Sequence, residues 1–291
     1  MVQPSRYVDS RFPNHVCKLQ KSLYGLKQAP PAWFERFSTQ LLHMGFESSQ
    51  VDSSLFILRY NKILVYLLIY VDDIVLTGNS QDFLQSFINQ LSQIFELKDF
   101  GDLHFFLGLH IHRSPKGIFL NQAKYITDLL TKHHMLNSKP AKTPCVPHVR
   151  LVPDAGTLLS DPHVYRSLVG SLQYLTFTIP DLSFTIHQVC QFMSFPMDVH
   201  LVATKRILRY LVGTQHFGIR LQLGPLSFYA FSDSDWASYP YDCRSTTRFL
   251  VYLGYNPITW SAKKQLTVSR SSTESEYRAL ASTAVELCWL R

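Results

Sequence analysis

Two adjacent aspartates between apolar runs constrain the fold of this chain more than any other feature. Residues 63–70 read ILVYLLIY, residues 74–76 read IVL, and Asp72 and Asp73 stand between them. Because these runs are apolar on both faces of a strand, they predict two buried β-strands joined by a tight turn. The turn lacks the Asn-Gly or Asp-Gly pair that tight hairpins prefer. Two carboxylates are therefore expected at the tip of an apolar hairpin.

The negative charges of the paired carboxylates must be either balanced by a cation or solvated by bulk water. Like charges at this separation repel each other and are costly to remove from water. A divalent cation such as Mg²⁺ resolves this conflict, because it prefers hard oxygen ligands. Two metal ions held in this way activate a primer hydroxyl and stabilise a leaving pyrophosphate. On spacing alone, an exposed turn whose aspartates face water is an equal alternative.

The composition is that of a globular protein with an excess of positive charge. Hydrophobic residues make up 46% of the 291 residues, which is too many for a disordered chain. A chain of this length suits roughly two domains. Lys and Arg outnumber Asp and Glu 28 to 21, and the net charge of +7 favours a polyanionic partner.

The sequence predicts a protein that is neither secreted nor inserted in a membrane. The longest apolar run covers nine residues, 63–71, which is about half of what spans a bilayer. The N-terminus has no apolar core of a secretory signal. Five dispersed cysteines without a C-x-x-C pair are typical of reduced intracellular thiols. We therefore expect an intracellular protein.

A proline-rich stretch divides the chain. Five of the 15 prolines lie within residues 140–162, and proline fixes the backbone and removes a hydrogen-bond donor. This predicts an extended connector at a domain boundary. Hydrophobic periodicity predicts helices at 32–44, 81–95, 124–134, 164–176, 182–193, 199–212 and 273–289. It also predicts a hairpin around residues 115–117 and strands in GIRLQL, SFYAFS, FLVYLG and PITWSA.

A second acidic set lies in the last third of the chain. Asp233 follows an apolar strand, and Glu276 opens the last predicted helix. Such residues can converge on one metal ion, which suits hydrolysis of a phosphodiester by a metal-activated water. On spacing alone, Thr273-x-x-Glu276 is better explained as a capping box, in which the carboxylate accepts a backbone hydrogen bond. Asp235 is equally explained as a solvated turn residue.

Several basic residues stand where they could contact phosphates. Lys205, Arg206 and Arg209 share one helical neighbourhood, and Lys263 and Lys264 flank the second acidic set. A hybrid duplex needs phosphate contacts from such groups. A solvated, charged helix face explains any single one of them at least as well.

Long motifs in the chain resemble one family of enzymes. KLQKSLYGLKQAP at 18–30 and YVDDIVLTG at 70–78 are similar to the reverse transcriptase of copia-type LTR retrotransposons. The resemblance continues through LKDFGDLHFFLGLHIHRS, KYITDLLTKHHM, YRSLVGSLQYLTFTIPDLSF and HLVATKRILRYLVGT, and it covers essentially the whole chain.

The resemblance implies specific roles for residues of the first half. Asp72 and Asp73 correspond to the paired metal ligands of the polymerase, and Tyr70 lies near the primer terminus. Lys27 and Gln28 fall in the segment that lines the nucleotide and template side. The family's polymerase also needs a third aspartate from a strand that would precede Met1, so we expect that this chain does not polymerise.

The last part of the chain resembles the ribonuclease H domain of the same polyproteins, through SDSDWA, CRSTTRFLVYLG and ITWSAKKQLTVSRSSTESEYRALA. Asp233 then corresponds to the first catalytic aspartate, and Glu276 to the glutamate, because the family's Glu-x-x-Ala spacing ends at Ala279. The remaining two acidic ligands are expected beyond Arg291. Arg248 stands where the family usually has glycine, which puts the local turn in doubt.

The fold expected from all this is α+β. It comprises a partial right-hand polymerase palm and thumb at 1–139 and a connector at 140–162. A helical connection region at 163–224 and a truncated ribonuclease H-like α/β domain at 225–291 follow. The resemblance implies a fragment of an RNA-directed DNA polymerase with ribonuclease H, inactive as this chain.

In the complete enzyme the resemblance implies Mg²⁺ or Mn²⁺ as cofactor. The implied partners are an RNA template, a DNA primer, an RNA–DNA hybrid and dNTP, in the cytoplasm within a virus-like particle or in the nucleus. A competing hypothesis is a non-catalytic nucleic-acid-binding remnant or the product of a decayed retroelement.

Overall fold

The structure is a computed structural model, and it describes residues 2–18, 25–147 and 149–291. Residues 19–24, in the middle of the KLQKSLYGLKQAP motif, lie outside the described residues. The chain divides into two compact units, Met1–Asp102 and Leu103–Arg291. Helices and antiparallel sheets occur in both units, so the predicted α+β class is confirmed.

The first unit is a four-stranded antiparallel sheet in the order β1-β2-β3-β4, with two helices packed on one face. Its elements are α1 (Ala29–His43), β1 (Glu47–Ser48), β2 (Leu55–Tyr60), β3 (Ile63–Tyr70), β4 (Asp73–Gly78) and α2 (Gln81–Ile94). Two prolines occupy the first turn of α1, where the missing N–H would have no partner within the helix. The side chain of Ser80 caps α2 by accepting a hydrogen bond from the N–H of Phe83.

Side-chain alternation explains the core of this unit. Val65, Leu67 and Ile69 of β3 are buried against residues of α1 and α2, including Phe37 and Phe87. Most of the alternate residues of β2 and β3 are also apolar, yet they are only half-buried or, like Tyr70, exposed, because both helices lie on the other face. The predicted burial of the hairpin is therefore complete on one face only.

The second unit holds two sheets and a helical cluster. One sheet has the order β5-β6-β7-β8, and the other has the order β11-β10-β9. The elements before the second sheet are β5 (Phe105–Phe106), β6 (Leu109–Ser114), β7 (Gly117–Asn121), α3 (Ala123–Lys132), α4 (Pro162–Gln173), α5 (Leu182–Cys190), α6 (Asp198–Thr214) and β8 (Gly218–Leu221). The last elements are β9 (Phe228–Asp235), β10 (Thr246–Leu253), β11 (Asn256–Lys264) and α7 (Ser272–Leu290).

Contacts in the second unit cross the proline-rich stretch. Helices α3 to α6 share one apolar core, and β7 pairs with β8 although the stretch separates them in sequence. The stretch itself is held to the helices by backbone hydrogen bonds, from Ala141 N–H to the Arg209 carbonyl at 3.0 Å and from Leu159 N–H to the Pro196 carbonyl at 3.1 Å. The division into four segments at 139/140, 162/163 and 224/225 stays a prediction.

The predicted helices and strands are found within a few residues of their expected positions. The helix predicted at 164–176 ends earlier, as α4, and continues as a 3-10 turn over Tyr174–Phe177. Strand β2 was not predicted, although its sequence LFILRY is rich in β-forming residues. No helix in the described part of the chain is long and apolar enough to cross a membrane.

Candidate metal sites at two acidic strand ends

The first candidate site is the turn between β3 and β4. Tyr70 pairs with Asp73 across the hairpin, so Val71 and Asp72 form a two-residue turn. Val71 has a φ of 52°, in the left-handed region that a β-branched residue rarely adopts. Tight hairpins place glycine at such a position. A strained backbone of this kind costs on the order of 1–3 kcal/mol and is concentrated at functional sites.

Both carboxylates of this turn are exposed to solvent. Within the described residues, neither Asp72 nor Asp73 forms an ion pair with a basic side chain. Tyr70 is 50% exposed and, as the cross-strand partner of Asp73, shares its face of the sheet. That is the face that the helices of this unit leave uncovered. Asp73 and Tyr70 are therefore accessible together from one side.

Lys27 and Gln28 lie immediately before α1, and both are exposed. Gln28 occupies the N-cap position of α1 without a capping hydrogen bond from its side chain. The structure records no hydrogen bond from either residue to the acidic turn among the residues it describes. Their predicted position on the nucleotide and template side stays a prediction.

The second candidate site lies at the end of β9. Asp233 and Asp235 point to the same face of the sheet, because they are two residues apart on a strand. Arg248 of β10 is the direct cross-strand partner of Asp233. Its Nη1 lies 3.2 Å from Asp233 Oδ2, and its Nη2 lies 2.8 Å from Asp235 Oδ2. One guanidinium therefore bridges both carboxylates.

Arg248 does not occupy a turn, contrary to the doubt raised by its sequence position. It lies inside the regular strand β10, from which it brings a positive charge to the acidic end of β9. The sequence signal for this contact was an arginine in the strand after the Asp-x-Asp pair. That signal becomes decisive only once the register of β9 against β10 is known.

Glu276 reaches the same strand from the other side. Its Oε1 accepts a hydrogen bond from the backbone N–H of Ser234 at 3.3 Å, next to Asp233 in the chain. The structure thus brings Glu276 against the strand that carries Asp233, and a metal site shared by the two residues stays a prediction. A cavity of about 570 Å³ lies beside Glu276 and is also lined by Ser232, Ser272, Thr273, Tyr277 and Leu280.

The capping box expected at Thr273 and Glu276 is not formed. Helix α7 is capped two residues earlier, where the side chain of Ser271 accepts a hydrogen bond from the N–H of Glu274 at 3.1 Å. Glu274 Oε2 in turn accepts from the N–H of Arg270 at 2.7 Å. This hydrogen bond, together with the Arg278 guanidinium, holds the pKa of Glu274 below its usual value. Glu276 therefore takes no part in capping the helix.

The basic residues near the second site are partly engaged in structural contacts. Lys264 Nζ lies 2.7 Å from Asp242 Oδ2 and 3.4 Å from the centroid of the Tyr239 ring. Lys263, on the opposite side of β11, is exposed. Only Lys263 of this pair therefore presents its charge fully to solvent.

The basic residues of α6 are likewise divided between side chains in structural contacts and one that is exposed. Arg206 Nη2 donates to Thr143 Oγ1 at 2.9 Å, and Arg209 Nε donates to the Lys139 carbonyl at 2.8 Å. Arg206 thus contacts the proline-rich stretch and Arg209 the residue just before it, whereas Lys205 is exposed. Nucleic-acid binding by these residues stays a prediction.

Each candidate site falls short of a three-ligand cluster. In the ranges 2–18, 25–147 and 149–291, no group of three or more His, Cys, Asp or Glu side chains is arranged to hold a metal ion. The first site offers two carboxylates that face solvent. The second offers carboxylates that an arginine already neutralises.

The chain belongs to the reverse transcriptase family, because residues 1–147 match the family described as "Reverse transcriptase (RNA-dependent DNA polymerase)". It is 50% identical over 291 residues to the "Retrovirus-related Pol polyprotein from transposon RE1" of Arabidopsis thaliana, covering 100% of this chain and 20% of that protein. It is 33% identical over 303 residues to the corresponding polyprotein "from transposon TNT 1-94" of Nicotiana tabacum, covering 23% of that protein. The predicted resemblance to copia-type retrotransposons is confirmed.

A shorter protein is also similar to most of this chain. An uncharacterised mitochondrial protein of Arabidopsis thaliana is 49% identical over 227 residues, which is 77% of this chain and 94% of that protein. The chain spans about a fifth of the length of the Pol polyproteins from transposons RE1 and TNT 1-94. No solved structure matches it.

Proposed function

We propose that Asp72 and Asp73 are ligands of Mg²⁺ or Mn²⁺ in RNA-directed DNA synthesis by the complete polyprotein enzyme. The observation that carries the proposal is a pair of exposed carboxylates, without an internal counter-charge among the described residues, on a strained turn of an apolar hairpin. The donor set fits the metal, since hard carboxylate oxygens are the ligands that Mg²⁺ prefers. When bound, the metal ions activate the primer hydroxyl and stabilise the leaving pyrophosphate.

The neighbouring residues support this role. Tyr70 lies beside Asp73 on the uncovered face of the sheet, where a primer terminus would approach. We assign Lys27 and Gln28 to the nucleotide and template side, since both side chains are exposed before α1. The partners proposed for the complete enzyme are an RNA template, a DNA primer and dNTP, in the cytoplasm or in the nucleus.

The second acidic set is proposed to derive from a ribonuclease H-like site. The support for this proposal is that Glu276 accepts a hydrogen bond from the backbone N–H of Ser234, the residue next to Asp233 on β9. The donor set does not fit a metal ion in this chain, because Arg248 holds Asp233 and Asp235.

Metal binding at the first site is tested by titrating the full chain with Mn²⁺ and following the free ion by electron paramagnetic resonance. We expect binding in the unmodified chain and its loss in Asp72→Asn/Asp73→Asn. Asp82→Asn, which removes an exposed charge from the first turn of α2, is the matched control and should bind as before. Equal binding by all three proteins would refute the proposal.

Catalysis is a separate measurement. Two carboxylates do not hold two metal ions in the geometry of nucleotidyl transfer, so we expect no primer extension on a primed RNA template with Mg²⁺ or Mn²⁺. Extension that disappears in Asp72→Asn would show that this chain is itself a polymerase.

The second candidate function is that of a nucleic-acid-binding remnant without catalysis. The net charge of +7 and the exposed Lys205 and Lys263 favour it. Binding of an RNA–DNA hybrid should then weaken steeply with salt, and each lost phosphate contact should reduce that slope by about one. Absent or salt-independent binding would exclude this candidate.

A further inference from the structure

The acidic end of β9 carries its own cation. Arg248 stands directly opposite Asp233 in the register of β9 and β10, and it reaches both carboxylates on that face. The guanidinium presents its donors as a rigid fork, which suits two separate oxygen acceptors. Here each terminal nitrogen contacts a different aspartate, so one side chain neutralises part of the charge of both.

Packing holds the guanidinium in this position. The Cζ of Arg248 lies 4.3 Å from the centroid of the Phe184 ring, which belongs to α5. An aromatic face attracts a guanidinium and fixes its plane. The Nε atom is buried and has no hydrogen-bond partner among the described residues, so the group gives up one hydrogen bond to place its two terminal nitrogens on the aspartates.

The carboxylates are also oriented for this contact. The backbone N–H of Thr246 donates to Asp235 Oδ1 at 2.5 Å, which leaves Oδ2 for Arg248. Asp233, whose side chain is 61% exposed, uses its Oδ2 for the same guanidinium. A divalent cation bound to Asp233 would lie close to the guanidinium of Arg248, and the two positive groups would repel each other.

We propose that Arg248 takes the place of a divalent cation at Asp233 and Asp235, so that these carboxylates bind Mg²⁺ or Mn²⁺ only when Arg248 is replaced. The inference rests on the proposed ribonuclease H-like origin of Asp233. It identifies the residue that neutralises these two carboxylates in place of a metal ion.

The test compares Mn²⁺ binding by full-length variants, followed by electron paramagnetic resonance. With Arg248 present, the Asp233→Asn variant should bind as much Mn²⁺ as the unmodified chain does. Arg248→Gln should bind one further Mn²⁺ at Asp233 and Asp235. Its affinity there should be about tenfold higher than that of the unmodified chain, because a contacting positive charge has been removed. This gain should vanish in Arg248→Gln/Asp233→Asn.

Matched variants separate charge from shape. Arg248→Lys keeps the positive charge and should gain no Mn²⁺, whereas Arg248→Gly removes the side chain and should behave as Arg248→Gln does. A circular dichroism spectrum confirms that each variant is folded. The comparison of the unmodified chain with Asp233→Asn does not depend on any change at Arg248, so a loss of Mn²⁺ binding there overturns the inference even if those variants unfold.

Two results would overturn the inference. One is loss of Mn²⁺ binding in Asp233→Asn with Arg248 present, because the metal would then bind despite the arginine. The other is a folded Arg248→Gln without any additional Mn²⁺. Cleavage of the RNA strand of a hybrid is measured separately, so that a variant that binds Mn²⁺ without cleaving would sustain this inference and count against the ribonuclease H-like function.

Discussion

The two acidic pairs of this protein differ in how their charge is balanced. Asp72 and Asp73 face solvent at the tip of a hairpin, with no ion pair among the described residues. Asp233 and Asp235 lie on one strand, and Arg248 bridges them. Asp72, Asp73 and Asp233 were each predicted as metal ligands, yet only the first pair has no internal cation among the described residues.

The difference shows that adjacent carboxylates alone do not define a metal site. An acidic pair needs a cation only if the fold does not supply one, because the cost of like-charge repulsion is removed by either source. At the first pair the chain additionally accepts backbone strain at Val71, whereas the second pair lies on regular strand. Strain and uncompensated charge are the two reasons for which we propose the first pair as the metal site.

The largest expected effect concerns the internal cation. Arg248→Met should lower the free energy of unfolding by about 1–2 kcal/mol, since two aspartates then face each other without their shared partner and are partly solvated. Urea denaturation measures the change. Arg244→Met, which breaks the looser pair with Asp242 at 3.4 Å, should cost less than about 0.5 kcal/mol. Equal losses in the two variants would mean that the bridging geometry contributes nothing.

A smaller effect is expected at the strained turn. Val71→Gly should raise the free energy of unfolding by about 1 kcal/mol, because glycine adopts the positive φ without a steric cost. Val75→Gly, in the regular part of β4, should instead destabilise the hairpin by roughly the same amount. If both glycines destabilise the protein, the turn at Val71 is not strained.

The smallest expected effect is a dependence of stability on pH that comes from one buried histidine of the second unit. Burial lowers the pKa of His200, whose Nδ1 accepts from the Met197 N–H while its Nε2 contacts the Val152 carbonyl and Asp198 lies nearby. A lowered folded pKa gives stability that is complete above the unfolded value and is lost as the pH falls. Between pH 7.5 and 6, His200 should account for at most about 0.8 kcal/mol of lost stability.

Urea midpoints at the two pH values, compared between the unmodified chain and His200→Gln, measure this contribution. The dependence on pH should be weaker in the variant. His133 and His187, whose pKa values are also lowered by burial, remain in both proteins and therefore cancel in the comparison. An unchanged dependence in His200→Gln would contradict the assignment.

Much of the fold was predictable from local patterns. Among the described residues, periodicity located the seven α-helices, the hairpin at 115–117 and the strands β8 to β11, because each element depends on the residues next to it in sequence. The acidic turn at Asp72 and Asp73 was predictable for the same reason. Strand β2 was not predicted. Burial of the hairpin was overestimated, because a pattern of apolar residues does not reveal which face of a sheet the helices cover.

The sites were less predictable than the elements. Spacing favoured Glu276 as a helix cap, yet Ser271 and Glu274 cap α7, and Glu276 contacts β9 instead. Local sequence offers several residues for one cap, and the small differences among them are outweighed by tertiary contacts.

Local sequence was thus enough for the order of helices and strands, the hairpin with two carboxylates at its tip and the family to which the chain belongs. Tertiary structure alone decided that Arg248 meets Asp233 and Asp235 and that Phe184 holds it there. The reason is that strand register and helix packing bring together residues far apart in the chain, and the charge of a site is the sum over those neighbours.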